Sequence, residues 1–258
     1  MRLEIVGVRV GSPLGAPCSS YAVDGPEGTV LLDCGPGTLQ AAWSSGLVDR
    51  LGAVVISHMH LDHMLDLVPW TTTTTREGLE HRLGAARRLP LWVPRGRGPA
   101  VLEEAHAAFG HGLDRVRATF DLREYDAGDT VRACGLELTF VRTGHPETCL
   151  APRCTDGTTT LVYTADSTAA PALERHAAGA DLLLCEATFL DPGPDLDRYG
   201  HMTGEQAAGL AARAGVQRLV LTHVMPFEDE NAENLRRARA RFDGRVDLAE
   251  PGRVYEIG

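Results

Sequence analysis

Apolar and polar positions along this chain fall into two alternating kinds of segment. Short runs rich in Val, Leu and Ile read as strands at Leu3–Val10, Thr29–Asp33, Ala53–Ser57, Leu89–Val93, Leu136–Val141, Thr159–Thr164, Asp181–Cys185 and Arg218–Thr222. Longer amphipathic segments read as helices at Gly37–Ser45, Met64–Thr72, Pro99–Gly110, Thr203–Ala214 and Glu230–Phe242. Two of these carry end signals. Thr203 and Gln206 have capping-box spacing, and acidic residues crowd the start of the last helix while arginines crowd its finish. Interleaving of this kind predicts two sheets with helices packed outside them. With no linker, repeat or low-complexity boundary, residues 1–258 are expected to form a single domain.

Composition narrows the class. The chain has 258 residues and 43% hydrophobic content, enough for a substantial core. It carries 25 Lys plus Arg against 35 Asp plus Glu, a formal charge of −10, which does not favour tight binding of a large RNA. Arg95-Gly96-Arg97 and Arg236-Arg237-Ala238-Arg239 are short basic clusters, read as a solvated loop and a helix end. No apolar stretch approaches a membrane span, and the start reads as a strand rather than a signal peptide. The six cysteines (Cys18, Cys34, Cys134, Cys149, Cys154, Cys185) show no paired-ligand spacing and no disulfide framework. They are read as reduced thiols in a cytoplasmic protein.

The most informative stretch is His58-Met59-His60-Leu61-Asp62-His63, directly after the buried-strand pattern Ala53-Val54-Val55-Ile56. In an extended segment His58 and His60 face one side, while Met59 and Leu61 point back into the protein. A helix starting near Leu61 would place Asp62 and His63 in its first turn, approaching the same space from another angle. Two donor pairs from two directions suit a pair of metal ions better than one. The competing reading is a coincidental His-rich surface turn, disfavoured because four donors stand behind a buried strand. His145, Asp166 and His223 each follow an apolar, β-branched run, where α/β architectures collect site residues. His81, His106, His111 and His176 have no matching partners and are read as exposed or structural. Thr71 to Thr75 could line the mouth of a site or form a polar surface loop.

Together with Leu31-Leu32-Asp33-Cys34-Gly35-Pro36-Gly37-Thr38, Tyr163-Thr164-Ala165-Asp166-Ser167 and Thr222-His223, these pieces resemble the metallo-β-lactamase-fold hydrolases, closest to the ribonuclease-Z-like branch. The resemblance implies an α+β fold, the four-layer αββα sandwich of the metallo-β-lactamase type. It implies that His58, His60 and His145 hold one metal, that Asp62, His63 and His223 hold the second, and that Asp166 bridges them. Asp33 would hydrogen-bond behind the histidines. Cys185-Glu186-Ala187-Thr188 is similar to the branch's His-Glu-Ala-Thr motif, and His201-Met202-Thr203 to its His-Ser-Thr motif, with cysteine and methionine as departures. Glu186 and His201 would handle protons at the phosphodiester. The branch's long RNA-gripping arm is absent, since a hairpin from Arg153 to Thr160 fills the gap between His145 and Asp166. A homodimer is implied by resemblance, with no interface readable.

Nitrogen and oxygen donors without thiolate suit two divalent ions, zinc first, with manganese or iron admitted. The expected chemistry is attack by a metal-bridging hydroxide, with Asp62 accepting its hydrogen bond and His201, oriented by Glu186, donating a proton to the leaving alkoxide. The leading class is a phosphodiesterase acting on a small or cyclic phosphodiester. The alternative is a hydrolase of a carboxylic ester, thioester or lactone on the same site, because an activated hydroxide attacks carbon or phosphorus. A degenerate, non-catalytic binding protein is the third class, disfavoured because every ligand position is filled. Specificity is expected in loops Gly11–Ser20, Pro69–Arg88 and Thr148–Asp156.

Overall fold

Runs such as Val30-Leu31-Leu32 and Leu182-Leu183-Leu184 are apolar at every position because both faces of their strands are covered. A computed structural model describes residues 1–74, 88–193 and 198–258. Among the described residues fourteen strands form two mixed sheets of seven. The first contains β1 (Arg2–Gly7), β2 (Ser20–Gly25), β3 (Gly28–Leu32), β4 (Leu51–Val55), β5 (Leu89–Pro94), β6 (Phe120–Tyr125) and β14 (Val254–Glu256), in the order β14-β1-β2-β3-β4-β5-β6. The second contains β7 (Thr130–Ala133), β8 (Leu136–Arg142), β9 (Leu150–Thr155), β10 (Thr160–Tyr163), β11 (Leu182–Glu186), β12 (Arg218–Thr222) and β13 (Arg245–Leu248), in the order β13-β12-β11-β10-β9-β8-β7. Each sheet is antiparallel at one end and parallel at the other. The parallel halves run β3-β4-β5-β6 and β10-β11-β12-β13.

Three apolar clusters account for the layers. Val30, Leu32 and Val55 of the first sheet meet Leu161, Tyr163 and Leu184 of the second in the inter-sheet core. Alternate residues of the same strands, Leu31 and Val54 on one side and Leu183 and Leu219 on the other, face outward against helices. The first sheet is covered by α1 (Thr38–Ser44), α3 (Leu67–Thr74), α4 (Arg97–Ala107) and α5 (Leu113–Thr119), the second by α6 (Pro171–Ala177), α7 (Gly204–Ala214) and α8 (Glu228–Arg241). This is the αββα sandwich that the family resemblance implies. Among the described residues no helix is long and apolar enough to cross a membrane.

Several local expectations change. The segment read as one helix from Met64 breaks into α2 (Leu61–Met64) and α3, with Leu65 and Asp66 between them. Asp66 accepts the Leu39 N–H at 2.8 Å there, tying the break to α1. Helix onset at Leu61 also turns that side chain outward, 53% exposed, whereas an extended chain would have pointed it inward. The first strand stops at Gly7, where a Cβ would lie 1.9 Å from the Cys18 carbonyl, so the neighbouring chain passes against bare backbone. Between His145 and Asp166 lies the expected hairpin, β9 to β10, whose turn is closed by Asp156 accepting the N–H groups of Thr158 and Thr159 at 2.9 and 2.8 Å. Thr71 belongs to α3 and is buried, His106 is buried, His111 exposed and His176 half-buried. His81 lies outside the described residues, as does most of the Pro69–Arg88 loop.

The capping box of α7 is formed in both directions, Gln206 N–H to Thr203 Oγ1 at 3.2 Å and Thr203 N–H to Gln206 Oε1 at 2.9 Å. Thr203→Ala is expected to lower unfolding free energy by about 1 kcal/mol. Urea denaturation measures this, and an unchanged midpoint would contradict it.

Candidate metal centre

The seven expected metal donors, with Asp33 and Glu186, stand at or just beyond the carboxyl ends of strands on one edge of the sandwich, and His201 lies in the loop before α7. Asp33 follows β3, His58 to His63 follow β4, and His145 follows β8. Asp166 follows β10, Glu186 ends β11, and His223 follows β12. The chain must turn sharply there. Among the described residues four non-glycine positions have positive φ, and three of them, Asp33, Ala165 and His223, are at this edge. That conformation costs roughly 1–2 kcal/mol per residue, which the packed sheets beneath must offset. Gly35 allows a further close approach, because a Cβ would sit 1.9 Å from the Asp62 carbonyl.

The structure brings the seven proposed donors into one cluster. His58, His60, His145 and Asp166 form one potential metal-holding group, and Asp62, His63 and His223 form another. Asp166 touches both. Its Oδ2 lies 3.3 Å from His58 Nε2 and 4.0 Å from His145 Nε2, and its Oδ1 lies 3.3 Å from His63 Nε2 and 3.4 Å from His223 Nε2. His223 Nε2 is 3.2 Å from His63 Nε2 and 3.4 Å from Asp62 Oδ2. His60 is the exposed member, so the cluster opens on its side.

These spacings fit a metal. For bonds of 2.0–2.1 Å, the edge of a tetrahedron of nitrogen or oxygen donors is about 3.3–3.4 Å. Five of the closest donor pairs match it to within 0.2 Å. Among the described residues, buried His58 Nε2 and Asp166 Oδ1 have no hydrogen-bond partner, although buried polar atoms are seldom left unsatisfied. Burial lowers the pKa of His58, His60 and His145, the last to about 3, leaving neutral imidazoles with available lone pairs. Burial opposes charge on His63 too, but Asp166, Asp33 and Asp62 outweigh it and raise its pKa well above the ordinary value. The acidic surroundings therefore draw positive charge to the centre.

A buried carboxylate stands behind the donors on each sheet. Asp33 Oδ2 accepts from Ser57 Oγ at 2.9 Å, His63 Nδ1 at 2.8 Å and Tyr163 Oη at 2.9 Å, while Oδ1 accepts the Ser57 N–H at 2.7 Å. Ser57 Oγ is in turn 3.1 Å from His58 Nδ1. One carboxylate thus orients a histidine of each group, His63 directly and His58 through Ser57. Glu186 is the counterpart on the second sheet. Its Oε1 accepts from the Ser167 N–H at 2.6 Å and His201 Nδ1 at 2.9 Å, its Oε2 from Thr188 Oγ1 at 2.8 Å and the Met202 N–H at 3.2 Å. Burial disfavours charge on His201, but the Glu186 charge and hydrogen bond push its pKa up to about 9. His201 also lies with Asp166 and His223 in a compact donor group, beside the cluster and half-buried.

Residues 28–224 match the model of the beta-lactamase superfamily domain. The chain belongs to the beta-lactamase superfamily. It is 31% identical to the probable metallo-hydrolase YhfI of Bacillus subtilis (strain 168), over 99% of this chain and all of that protein. The crystal structure of YhfI superposes with a TM-score of 0.82 at 28% identity, covering 98% of each chain. A ribonuclease Z of Mycobacterium bovis (strain BCG / Pasteur 1173P2) is 30% identical over 99% of this chain and 98% of its own. Zinc-bound PqqB from Methylobacterium extorquens, at 19% identity and a TM-score of 0.73 over the whole of both chains, shares the fold. This chain is a metal-dependent hydrolase of the ribonuclease-Z-like kind.

Sequence reasoning missed Ser57 as part of this hydrolase's centre, and it named Thr188 only within a motif, without a role. It also did not foresee that the two departures from the ribonuclease Z motifs touch each other. Cys185 Sγ lies 3.5 Å from Met202 Sδ, both fully buried against the helices behind the second sheet. Glu186, one residue on, turns into the centre instead.

Asp33→Asn would set an amide N–H₂ or a weakened acceptor against four donors. We expect a 10- to 100-fold loss of divalent-metal affinity, roughly the effect of removing a group that orients a ligand. Competition titration with a chromophoric chelator measures it, and unchanged affinity would show that Asp33 does not orient the donors.

Proposed function

We propose that this hydrolase is a phosphodiesterase acting on a small or cyclic phosphodiester. His58, His60 and His145 would hold one divalent ion, Asp62, His63 and His223 a second, and Asp166 both. The all-nitrogen-and-oxygen donor set favours zinc, with manganese or iron as substitutes. When bound, such ions acidify a water and neutralise charge at the scissile group. The observation that carries the phosphodiester reading is the 2.9 Å Glu186–His201 pair beside the donor cluster.

The chain's own groups divide the remaining work. Asp62 is held by the Gly11 N–H at 2.7 Å, which leaves its carboxylate fixed to accept a hydrogen bond from the attacking water. His201, charged through Glu186, can donate a proton from Nε2 to a departing alkoxide or steady the phosphoryl oxygens. The departures at Cys185 and Met202 are absorbed by their mutual contact, which supports Glu186 and His201 keeping this role.

A small substrate is favoured over a large RNA. The hairpin β9–β10 takes up the span where a gripping arm would emerge. The basic clusters are matched by local acids, Arg95 with Asp129 at 3.1 Å, Arg97 with Glu147 at 3.6 Å and Arg236 with Glu233 at 2.7 Å. Little of their charge is then left to neutralise a phosphate backbone.

The test compares bis(p-nitrophenyl) phosphate and a 2′,3′-cyclic nucleotide with p-nitrophenyl acetate, using metal-loaded protein. Asp62→Ala should abolish turnover of all three. His201→Ala should slow the cyclic nucleotide by about 10²–10⁴-fold, because an alkoxide needs a proton to leave. Loss on bis(p-nitrophenyl) phosphate should be smaller, since a nitrophenolate leaves unaided. Equal losses on every substrate, or turnover of the carboxylic ester alone, would move the assignment to an esterase or lactonase.

A further inference from the structure

Thr188 places one hydroxyl at the junction between the donor cluster and the Glu186–His201 pair. Its Oγ1 lies 2.8 Å from Glu186 Oε2, 2.9 Å from His223 Nδ1 and 3.0 Å from the His223 carbonyl oxygen. A hydroxyl has one proton to give and two lone pairs to offer. Glu186 Oε2 and the carbonyl can only accept, so the Thr188 proton is committed to one of them. The shorter, charge-assisted contact to Glu186 takes it. His223 Nδ1 must then be the donor to Oγ1, because an unprotonated Nδ1 would be a third acceptor around a single proton. The consequence falls on the far side of the ring. With Nδ1 protonated, the neutral imidazole presents the Nε2 lone pair, and Nε2 faces Asp62, Asp166 and His63.

Thr188 cannot readily swing away. The Ala187 N–H donates to the Thr222 carbonyl at 2.9 Å, and the Phe189 N–H to the Met202 carbonyl at 3.3 Å. Asn234 of α8, itself buried, donates to both the Ala187 and Phe189 carbonyls at 3.1 Å. The peptides on either side of Thr188 are thereby fixed to β12, to the loop carrying His201 and to a helix.

We propose that Thr188 is a positioning residue. It holds His223 in the Nδ1–H tautomer and couples that donor to Glu186, so that one carboxylate orients both His201 and, through a hydroxyl, His223. The inference rests on the ligand role given to His223 above.

The test uses zinc-loaded, ¹⁵N-histidine-labelled protein carrying Thr188→Ser or Thr188→Val, with circular dichroism to verify folding. Wild type and Thr188→Ser should show a protected His223 Nδ1–H resonance and the same zinc affinity. Thr188→Val, which keeps the shape and loses the hydroxyl, should lose that protection and bind the weaker zinc 10- to 100-fold less tightly, the range for a group that orients a metal-binding histidine. If the wild type binds zinc but Thr188→Val matches it in both readouts, the positioning role is wrong while the ligand assignment stands. A His223 protonated at Nε2 in the zinc-loaded wild type would overturn both. Should Thr188→Val fail to fold, Thr188→Ser decides: loss of the protected Nδ1–H there also counts against the proposal.

Discussion

Buried lone pairs converge on Asp166, and the rest of the site is arranged to keep them there. Two imidazole nitrogens 3.2 Å apart, with a carboxylate oxygen about equally close to each, repel one another unless a proton or a metal cation lies among them. An ordinary protein interior would relax such a cluster by rotating a ring or admitting water. Here the rings are held from behind, so the strain is met by positive charge drawn to the centre. That is the physical basis for reading the edge of this sandwich as a metal centre.

The holding is nearly symmetrical between the sheets. Asp33 rises from the first sheet and Glu186 from the second, both fully buried at strand ends and each accepting four hydrogen bonds. Asp33 governs His63 and, through Ser57, His58. Glu186 governs His201 and, through Thr188, His223. The left-handed turns at Asp33 and His223 are the backbone cost of bringing these groups to one edge. A carboxylate fully satisfied by hydrogen bonds is stable in the interior where an unpaired one is not. The two hubs therefore give the donors rigidity without leaving buried charge unsatisfied.

Much of this was legible in the sequence, for identifiable reasons. His145, Asp166 and His223 stand shortly after apolar runs, and strands that run in one direction deliver the residues after such runs to one edge of the sheet. The His58 to His63 spacing declares itself without any fold. What the sequence concealed depends on contacts between distant segments or on weak local patterns. β6 carries exposed Arg123 and Glu124 in its middle, and β14 is only three residues long, so neither announces a strand. Leu61 was expected to point inward because extended geometry was carried one residue too far, into a helix. Ser57, Thr188 and the Cys185–Met202 contact each depend on a partner 17 or more residues away (Asp33, His223 and Met202), which no local pattern records.

The central claim is that one edge of the sandwich holds two ions on a shared carboxylate. Anomalous diffraction at the zinc absorption edge, from crystals of the metal-loaded protein, addresses it most directly. The account predicts two peaks, one among His58, His60 and His145 and one among Asp62, His63 and His223, each against Asp166. A single peak, or peaks away from these donors, would contradict it.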